Sequence, residues 1–135
     1  MRIARLLVVD DEARFVETLS KRLTARGFYV EGASSGQQAL GLLETRPFDV
    51  VILDVRMPDM NGLDTLRAIR KIQPLVKVVL LSGHASIDAA VEGMRLGASD
   101  YVLKPADLDD LLARVEAAFE KKRLEEEQQA DGRQT

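Results

Sequence analysis

Three aspartates stand directly after two strongly apolar runs of the chain. Asp10 and Asp11 follow the run LLVV, and Asp54 follows the run VVIL. Two more chemically useful side chains are placed in the same way, since Ser82 follows VVLL and Lys104 follows YVL. A carboxylate can attack phosphorus and form an acyl phosphate. The five residues therefore provide a nucleophile, acidic metal ligands, a hydroxyl and a cation, a set that suits phosphoryl transfer.

Strands and helices must position these side chains, and one strand–helix pattern occurs five times. Each short aliphatic run is followed by a segment with apolar residues at helical spacing. The predicted strands are Arg5–Val9, Tyr29–Ala33, Asp49–Leu53, Lys77–Leu81 and Asp100–Leu103. The predicted helix boundaries are marked by Gly27, by a capping box of Ser35 and Gln38, by Pro74, by Gly97 and by Asp107. Phe15 is assigned to the apolar face of the first helix.

Alternation of this kind indicates an α/β fold, a doubly wound parallel sheet with helices on both faces. We predict five strands in the flavodoxin-like order 2-1-3-4-5 with five helices, because right-handed crossovers leave few topologies. The residues DDEARF stand where a phosphate-binding glycine fingerprint would follow the first strand, which argues against a dinucleotide site.

In this strand order the ligand crevice lies beyond the carboxyl ends of strands 1 and 3. Asp10, Asp11 and Asp54 are predicted to meet there. Carboxylates at one small site repel each other unless a cation joins them, and Mg²⁺ prefers such oxygen ligands together with phosphate oxygens. Asp54 lies on the central strand and is the predicted nucleophile. Asp10 and Asp11 are the predicted metal ligands, with Ser82 and Lys104 on the same rim.

The composition predicts a single cytoplasmic domain. The chain has 135 residues, of which 46% are apolar, enough to bury a core. A net charge of −3 gives no electrostatic case for binding nucleic acid or an anionic membrane. Because cysteine is absent, disulfides and thiolate metal sites are excluded. The opening MRIARLLVV is interrupted by DDE, too early for a signal peptide.

Four motifs in order along the chain resemble the receiver domain of bacterial two-component response regulators. They are VVDDE, ILDVRMPDMNG, LSGHA and GASDYVLKP, and the resemblance covers about residues 4 to 119. It implies that Asp54 accepts a phosphoryl group from a sensor histidine kinase. It also implies that Asp10, Asp11, Asp54 and the backbone carbonyl of Arg56 surround Mg²⁺.

The same resemblance assigns the route by which the signal leaves the site. Ser82 and Tyr101 match the hydroxyl and aromatic switch positions, and Lys104 matches the lysine of the family. The implied output is a change in the face formed by the fourth helix, strand 5 and the fifth helix. An output domain, a downstream protein or a phosphorylation-dependent homodimer would read this change. The segment SGHASIDAAVEGMRLGASDYVLKP further resembles receivers of nitrogen-regulation-type transcription activators.

Each residue taken alone has a plainer interpretation. Asp10 and Asp11 could cap the first helix, Lys104 could be a surface lysine, and Tyr101 could be a packing residue.

Two other functions also use this kind of fold. A phosphatase of the haloacid-dehalogenase type needs a second aspartate two residues after the nucleophile, where this chain has Arg56. A binding module without phosphorylation would not need the acidic site. We therefore expect a switch that promotes only its own phosphorylation and dephosphorylation, not an enzyme.

The end of the chain changes character. We predict a receiver unit over residues 1–120 and a charged helical extension or linker over residues 121–135. Leu124 is the only large apolar residue after Phe119, so no coiled-coil seam continues. The favoured interpretation is a solvated helix end; the functional alternative is a linker toward an output domain.

Overall fold

The computed structural model describes residues 2–56, 61–104 and 107–134. Along these residues five strands alternate with five helices, and a short 3-10 turn precedes the fourth helix. The strands are β1 (Arg5–Val9), β2 (Tyr29–Ala33), β3 (Val50–Asp54), β4 (Lys77–Ser82) and β5 (Asp100–Leu103). The helices are α1 (Ala13–Ala25), α2 (Gly36–Thr45), α3 (Gly62–Ile72), α4 (Ile87–Arg95) and α5 (Leu108–Gln134). Residues 57–60 and Pro105, which belong to two of the quoted motifs, lie outside the described residues, as does Ala106.

The strands form one parallel sheet in the order β2-β1-β3-β4-β5, which confirms the predicted topology. Two strands differ from the prediction, by one residue at both ends of β3 and at the end of β4. β3 begins after Asp49 and includes Asp54, because Asp54 still pairs with Leu81 in the ladder. β4 likewise includes Ser82, which pairs with Leu103. Asp54 and Ser82 are thus part of the sheet itself. Asp10 and Lys104 are the residues that directly follow β1 and β5.

Each face of the sheet is covered by helices because successive strand residues point to opposite sides. The face packed by α1 and α5 buries one set of strand side chains, among them Leu6, Val8, Ile52 and Leu81. The face packed by α2 and α3 buries the alternate set, among them Leu7, Val51, Leu53 and Leu80. This explains the lack of polar alternation in the central strands. In the described ranges no helix has the length and apolar composition that a membrane span requires.

The helix boundaries follow local chemistry, with one correction. Gly27 adopts a positive φ of 95°, which favours glycine and ends α1. Ser35 accepts the Gln38 N–H at 3.0 Å, as a capping box requires, but the Gln38 side chain accepts the N–H of Ser34 at 2.8 Å. The predicted capping box is therefore wrong in one of its two hydrogen bonds, because the Gln38 side chain accepts from Ser34 and not from the N-cap residue Ser35. Asp107 caps α5 as predicted, because its Oδ1 accepts the Asp109 N–H at 2.9 Å.

The end of the chain is more tightly attached than expected. α5 continues without a break to Gln134, and Lys122 is 8% exposed. The Lys122 ammonium donates to Asp49, which is 1% exposed just before β3, at 2.8 Å. Arg2 donates to the same carboxylate at 2.6 Å, and Lys77 at the start of β4 pairs with Glu125. The prediction of a solvated helix end is wrong for these turns, because buried charge pairing replaces an apolar seam.

Candidate functional site

The three predicted acidic residues lie together at the carboxyl ends of β1 and β3. Asp10 directly follows β1 and is fully buried, Asp54 is the last residue of β3 and is 7% exposed, and Asp11 is exposed. One carboxylate oxygen from each lies within 4.8 Å of the others. Because β1 and β3 are neighbours in a parallel sheet, both strands deliver their last residues to the same edge. The strand order that was predicted from connectivity therefore brings the carboxylates together.

Asp54 lies in an environment that resists its ionisation. Burial raises the pKa of Asp54 above its ordinary value, and the charges of Asp10 and Asp11 raise it further. The Arg56 N–H, which donates to Asp54 Oδ1 at 3.1 Å, and the Lys104 ammonium lower this pKa without cancelling the rise. Among the described residues, the three carboxylates of Asp10, Asp11 and Asp54 share the site with the Lys104 ammonium, which pairs with two of them. A divalent cation with oxygen ligands fits this donor set.

Lys104 reaches back across the crevice from the end of β5. Its ammonium donates to Asp10 Oδ2 at 2.5 Å and lies 3.5 Å from both Asp54 Oδ2 and Glu12 Oε1. Burial lowers the pKa of Lys104, but the hydrogen bond to Asp10 and the charges of Asp54, Asp10 and Glu12 outweigh burial and raise it. The lysine is a charged ammonium directed into the acidic crevice, not a surface side chain.

The aspartates after β1 hold the turn as well as the site. Asp10 Oδ1 accepts the Glu12 N–H at 2.9 Å, and Glu12 occupies the N-cap position of α1. The plainer interpretation, in which Asp10 and Asp11 cap α1, is therefore not how the helix begins. Asp11 contributes its carboxylate to the acidic cluster from an exposed position.

Val55, which directly follows β3, lies close to the first residue of α3. The Val55 N–H donates to Leu81 O at 3.0 Å and continues the sheet by one bond. A Cβ on Gly62, the first residue of α3, would lie 2.6 Å from the Cα and carbonyl oxygen of Val55. Only glycine allows so close an approach of two backbones. Asn61 caps the helix beside it, since its Oδ1 accepts the Leu63 N–H at 2.8 Å.

Ser82 is the last residue of β4, at the crevice edge of the sheet, and Tyr101 is the second residue of the neighbouring strand β5. Ser82 is fully buried, and its hydroxyl donates to Gly83 O at 3.0 Å. Ser86 Oγ lies 3.4 Å from the same hydroxyl and also donates to Gly83 O. Tyr101 pairs with Leu80 in the ladder and is half-buried against the core. Ser82 is thus occupied with its own loop in this structure.

Three neighbours of the site were not assigned a role from the sequence. Glu12 contributes a third carboxylate near the Lys104 ammonium, beside Asp10 and Asp54, and its position directly after Asp11 was an available signal. Phe15 was assigned to helix packing, yet its ring lies under the Lys104 ammonium. Ser86 touches the Ser82 hydroxyl through a turn that local periodicity does not reveal.

Comparison with known proteins then decides the family. Residues 6–116 match the response regulator receiver domain. The chain belongs to this family. It is 41% identical over 114 residues to the transcriptional regulatory protein ZraR of Escherichia coli O157:H7, covering 84% of this chain and 26% of ZraR. It is 42% identical over 110 residues to the acid tolerance regulatory protein ActR of Rhizobium meliloti, covering 82% of this chain and 57% of ActR.

Solved structures agree with the sequence comparison. A response regulator receiver domain protein from Clostridium thermocellum superposes with a TM-score of 0.86 at 37% identity, covering 90% of this chain and 98% of that one. Receiver domains are phosphorylation-dependent switches of two-component systems and bind Mg²⁺ at an acidic pocket. The cluster of Asp10, Asp11 and Asp54 could hold that ion. The chain spans about a quarter of ZraR and just over half of ActR.

Proposed function

We propose that this receiver accepts a phosphoryl group on Asp54 from a sensor histidine kinase. The observation that carries the proposal is the convergence of three carboxylates with the half-buried Lys104 ammonium at one end of the sheet. Asp10, Asp11, Asp54 and the backbone carbonyl of Arg56 would hold Mg²⁺. When bound, the ion supplies positive charge that offsets the repulsion between the carboxylates and the incoming phosphoryl oxygens.

The transfer would be a displacement at phosphorus. A carboxylate oxygen of Asp54 forms the new O–P bond while the N–P bond of the donor phosphohistidine breaks, and the imidazole leaves with the electron pair. The product is an acyl phosphate. Lys104 already lies 3.5 Å from Asp54 Oδ2, so its ammonium is placed to pair with a phosphoryl oxygen. We propose that the chain promotes only its own phosphorylation and the later hydrolysis of the acyl phosphate, in which water takes the phosphoryl group and Asp54 is released as a carboxylate, because Arg56 stands where a phosphatase would need an acid.

The phosphoryl group would then change the face formed by α4, β5 and α5. It adds roughly 1.5 to 2 negative charges and strong acceptor oxygens beside β4. The Ser82 hydroxyl would leave Gly83 O for these oxygens, and half-buried Tyr101 would turn further inward. Val91, Met94 and Leu103 are exposed apolar residues of α4 and β5, and they supply the contact area that a partner could read.

The readers of this face also belong to the proposal. We propose that an output domain, a downstream protein or a second phosphorylated copy binds the face formed by α4, β5 and α5. Residues 1–120 would form the receiver, and residues 121–135 the helical extension or linker. The chain would work in the cytoplasm. Regulators such as ZraR are longer than this chain, which supports an output elsewhere in the protein.

Acetyl phosphate provides the test of the acceptor. Incubation of the protein with acetyl phosphate and Mg²⁺ should add the mass of one phosphate, and chelation of Mg²⁺ should prevent the addition. Asp54→Ala should abolish it, whereas Asp64→Ala, which removes an exposed aspartate of α3, should leave it unchanged. Undiminished modification of the Asp54→Ala protein would refute the assignment.

Nuclear magnetic resonance provides the test of the switch. Beryllofluoride with Mg²⁺ mimics the phosphoryl group, and we expect its shifts to spread from Asp54 through Ser82 and Tyr101 into α4. Shifts confined to the loops around Asp10 and Asp54, with the Tyr101 ring signals unmoved, would show that the proposed route is absent.

A further inference from the structure

The Lys104 ammonium lies over an aromatic ring as well as among carboxylates. Its Nζ is 4.6 Å from the centroid of the Phe15 ring, which is half-buried in the first turn of α1. The groups described around this ammonium are the carboxylates of Asp10, Glu12 and Asp54 and the ring of Phe15. Within that described set, Phe15 is the single contact without a negative charge.

This difference matters because the carboxylates change partners during the proposed reaction. Asp10 and Asp54 would turn toward Mg²⁺ and the phosphoryl group, so their hold on Lys104 would weaken as the site fills. The Phe15 ring takes no part in metal binding and keeps its attraction for the ammonium. A cation over the face of a ring is attracted most strongly where water is excluded, and the Lys104 side chain is 20% exposed.

The Phe15 ring is also held by packing contacts with apolar neighbours. Phe15 packs against the apolar core formed by α1, α5 and the sheet. It also borders a small cavity of about 80 Å³ between α1 and α5, lined among others by Leu19, Leu108 and Leu111. The ring therefore offers the Lys104 ammonium a packed aromatic surface beside the acidic crevice.

We propose that Phe15 is a positioning residue for phosphoryl binding: its ring holds the Lys104 ammonium over the acidic crevice, ready to pair with the phosphoryl group on Asp54. The inference rests on the proposed function of Asp54. It assigns to Phe15 a task that an aliphatic residue of the same helix face cannot perform, because leucine fills space but has no π-electron face.

The test compares three variants. Phe15→Leu removes the ring, Phe15→Tyr keeps it, and Phe28→Leu makes the same loss of aromatic volume in the same apolar core at a site away from Lys104. The affinity of each protein for beryllofluoride in the presence of Mg²⁺ is measured by titration. We expect Phe15→Leu to bind about fivefold more weakly, the factor for a cation–π contact of ordinary strength. Phe15→Tyr and Phe28→Leu should stay within about twofold of the wild type.

A second measurement does not depend on phosphoryl chemistry or on the stability of a variant. In the wild-type protein without Mg²⁺, the ε-methylene protons of Lys104 should be shifted upfield by the ring current of Phe15. Unshifted ε-methylene signals, or equal beryllofluoride affinities of Phe15→Leu and the wild type, would overturn the inference. Failure of the wild type itself to bind beryllofluoride, with the upfield shift present, would count against the function proposed for Asp54 and leave the lysine–ring contact established.

Discussion

Substitution of Asp49 should reveal how strongly the end of α5 is bound to the sheet. The Asp49 carboxylate accepts from Arg2 at 2.6 Å, from the Arg5 N–H at 2.7 Å and from Lys122 at 2.8 Å. In Asp49→Asn a neutral amide faces a buried lysine. Removal of one partner from a buried ion pair costs about 3–5 kcal/mol. We expect the lower end, about 3 kcal/mol, since Lys122 keeps Glu126 at 3.2 Å.

The loss is measurable by urea unfolding and by thermal melting. For a chain of this length about 3 kcal/mol corresponds to a Tm about 12 °C lower. Lys122→Met should be destabilising on its own, and the double variant should lose less than the sum of the two, because a pair in contact is coupled. Glu17→Gln breaks the exposed pair with Lys21 and serves as the control, with an expected change below about 0.5 kcal/mol.

The same carboxylate predicts a dependence of stability on pH. Burial raises the pKa of Asp49, but the hydrogen bonds from Lys122, Arg2 and the Arg5 N–H outweigh burial and lower it below the ordinary value of 3.8. The ionised Asp49 carboxylate therefore contributes fully to the free energy of unfolding at pH values above its pKa in the unfolded chain. This stabilisation is lost as the pH falls through the lower pKa that Asp49 has in the folded protein.

Two results would refute the argument about Asp49. One is a loss below about 1 kcal/mol in Asp49→Asn, which is within the range of a surface pair. The other is amide hydrogen exchange in residues 121–126 that is as fast in the wild type as in the variant, which would mean that the pairing does not hold the end of α5.

Three further predictions concern the site and its support. Lys104→Ala should fold normally but weaken the beryllofluoride-induced shifts of α4 and β5; equal shifts in both proteins would remove the lysine from the mechanism. Asp54→Asn should raise the Tm without Mg²⁺, because the folded protein raises the pKa of Asp54 and the ionised carboxylate therefore opposes folding above pH 3.8. The Tm increase caused by Mg²⁺ should then be smaller in this variant than in the wild type. Gly62→Ala should cost about 1–3 kcal/mol through its clash with Val55, while Gly41→Ala, in open space on α2, should gain up to about 1 kcal/mol.

The sequence by itself determined the fold and the place where the site lies. The strand and helix periods are local, and parallel connections permit few strand orders, so the order β2-β1-β3-β4-β5 was predictable. Once that order is fixed, the carboxyl ends of β1 and β3 must be neighbours, and Asp10, Asp11 and Asp54 must approach one another. The roles of these residues in phosphoryl transfer remain predictions.

The tertiary structure decided the contacts between residues far apart in the chain. Lys122 and Asp49 are 73 positions apart, and nothing in the charged tail marks one lysine as buried. Phe15 has the same apolar spacing as its neighbours on α1, so its position under Lys104 depends on where the end of β5 lies. Local patterns record which residues avoid water, because that preference belongs to each side chain. Which charge or ring meets a given ammonium depends on the packing of separate elements, and only the folded chain sets that distance.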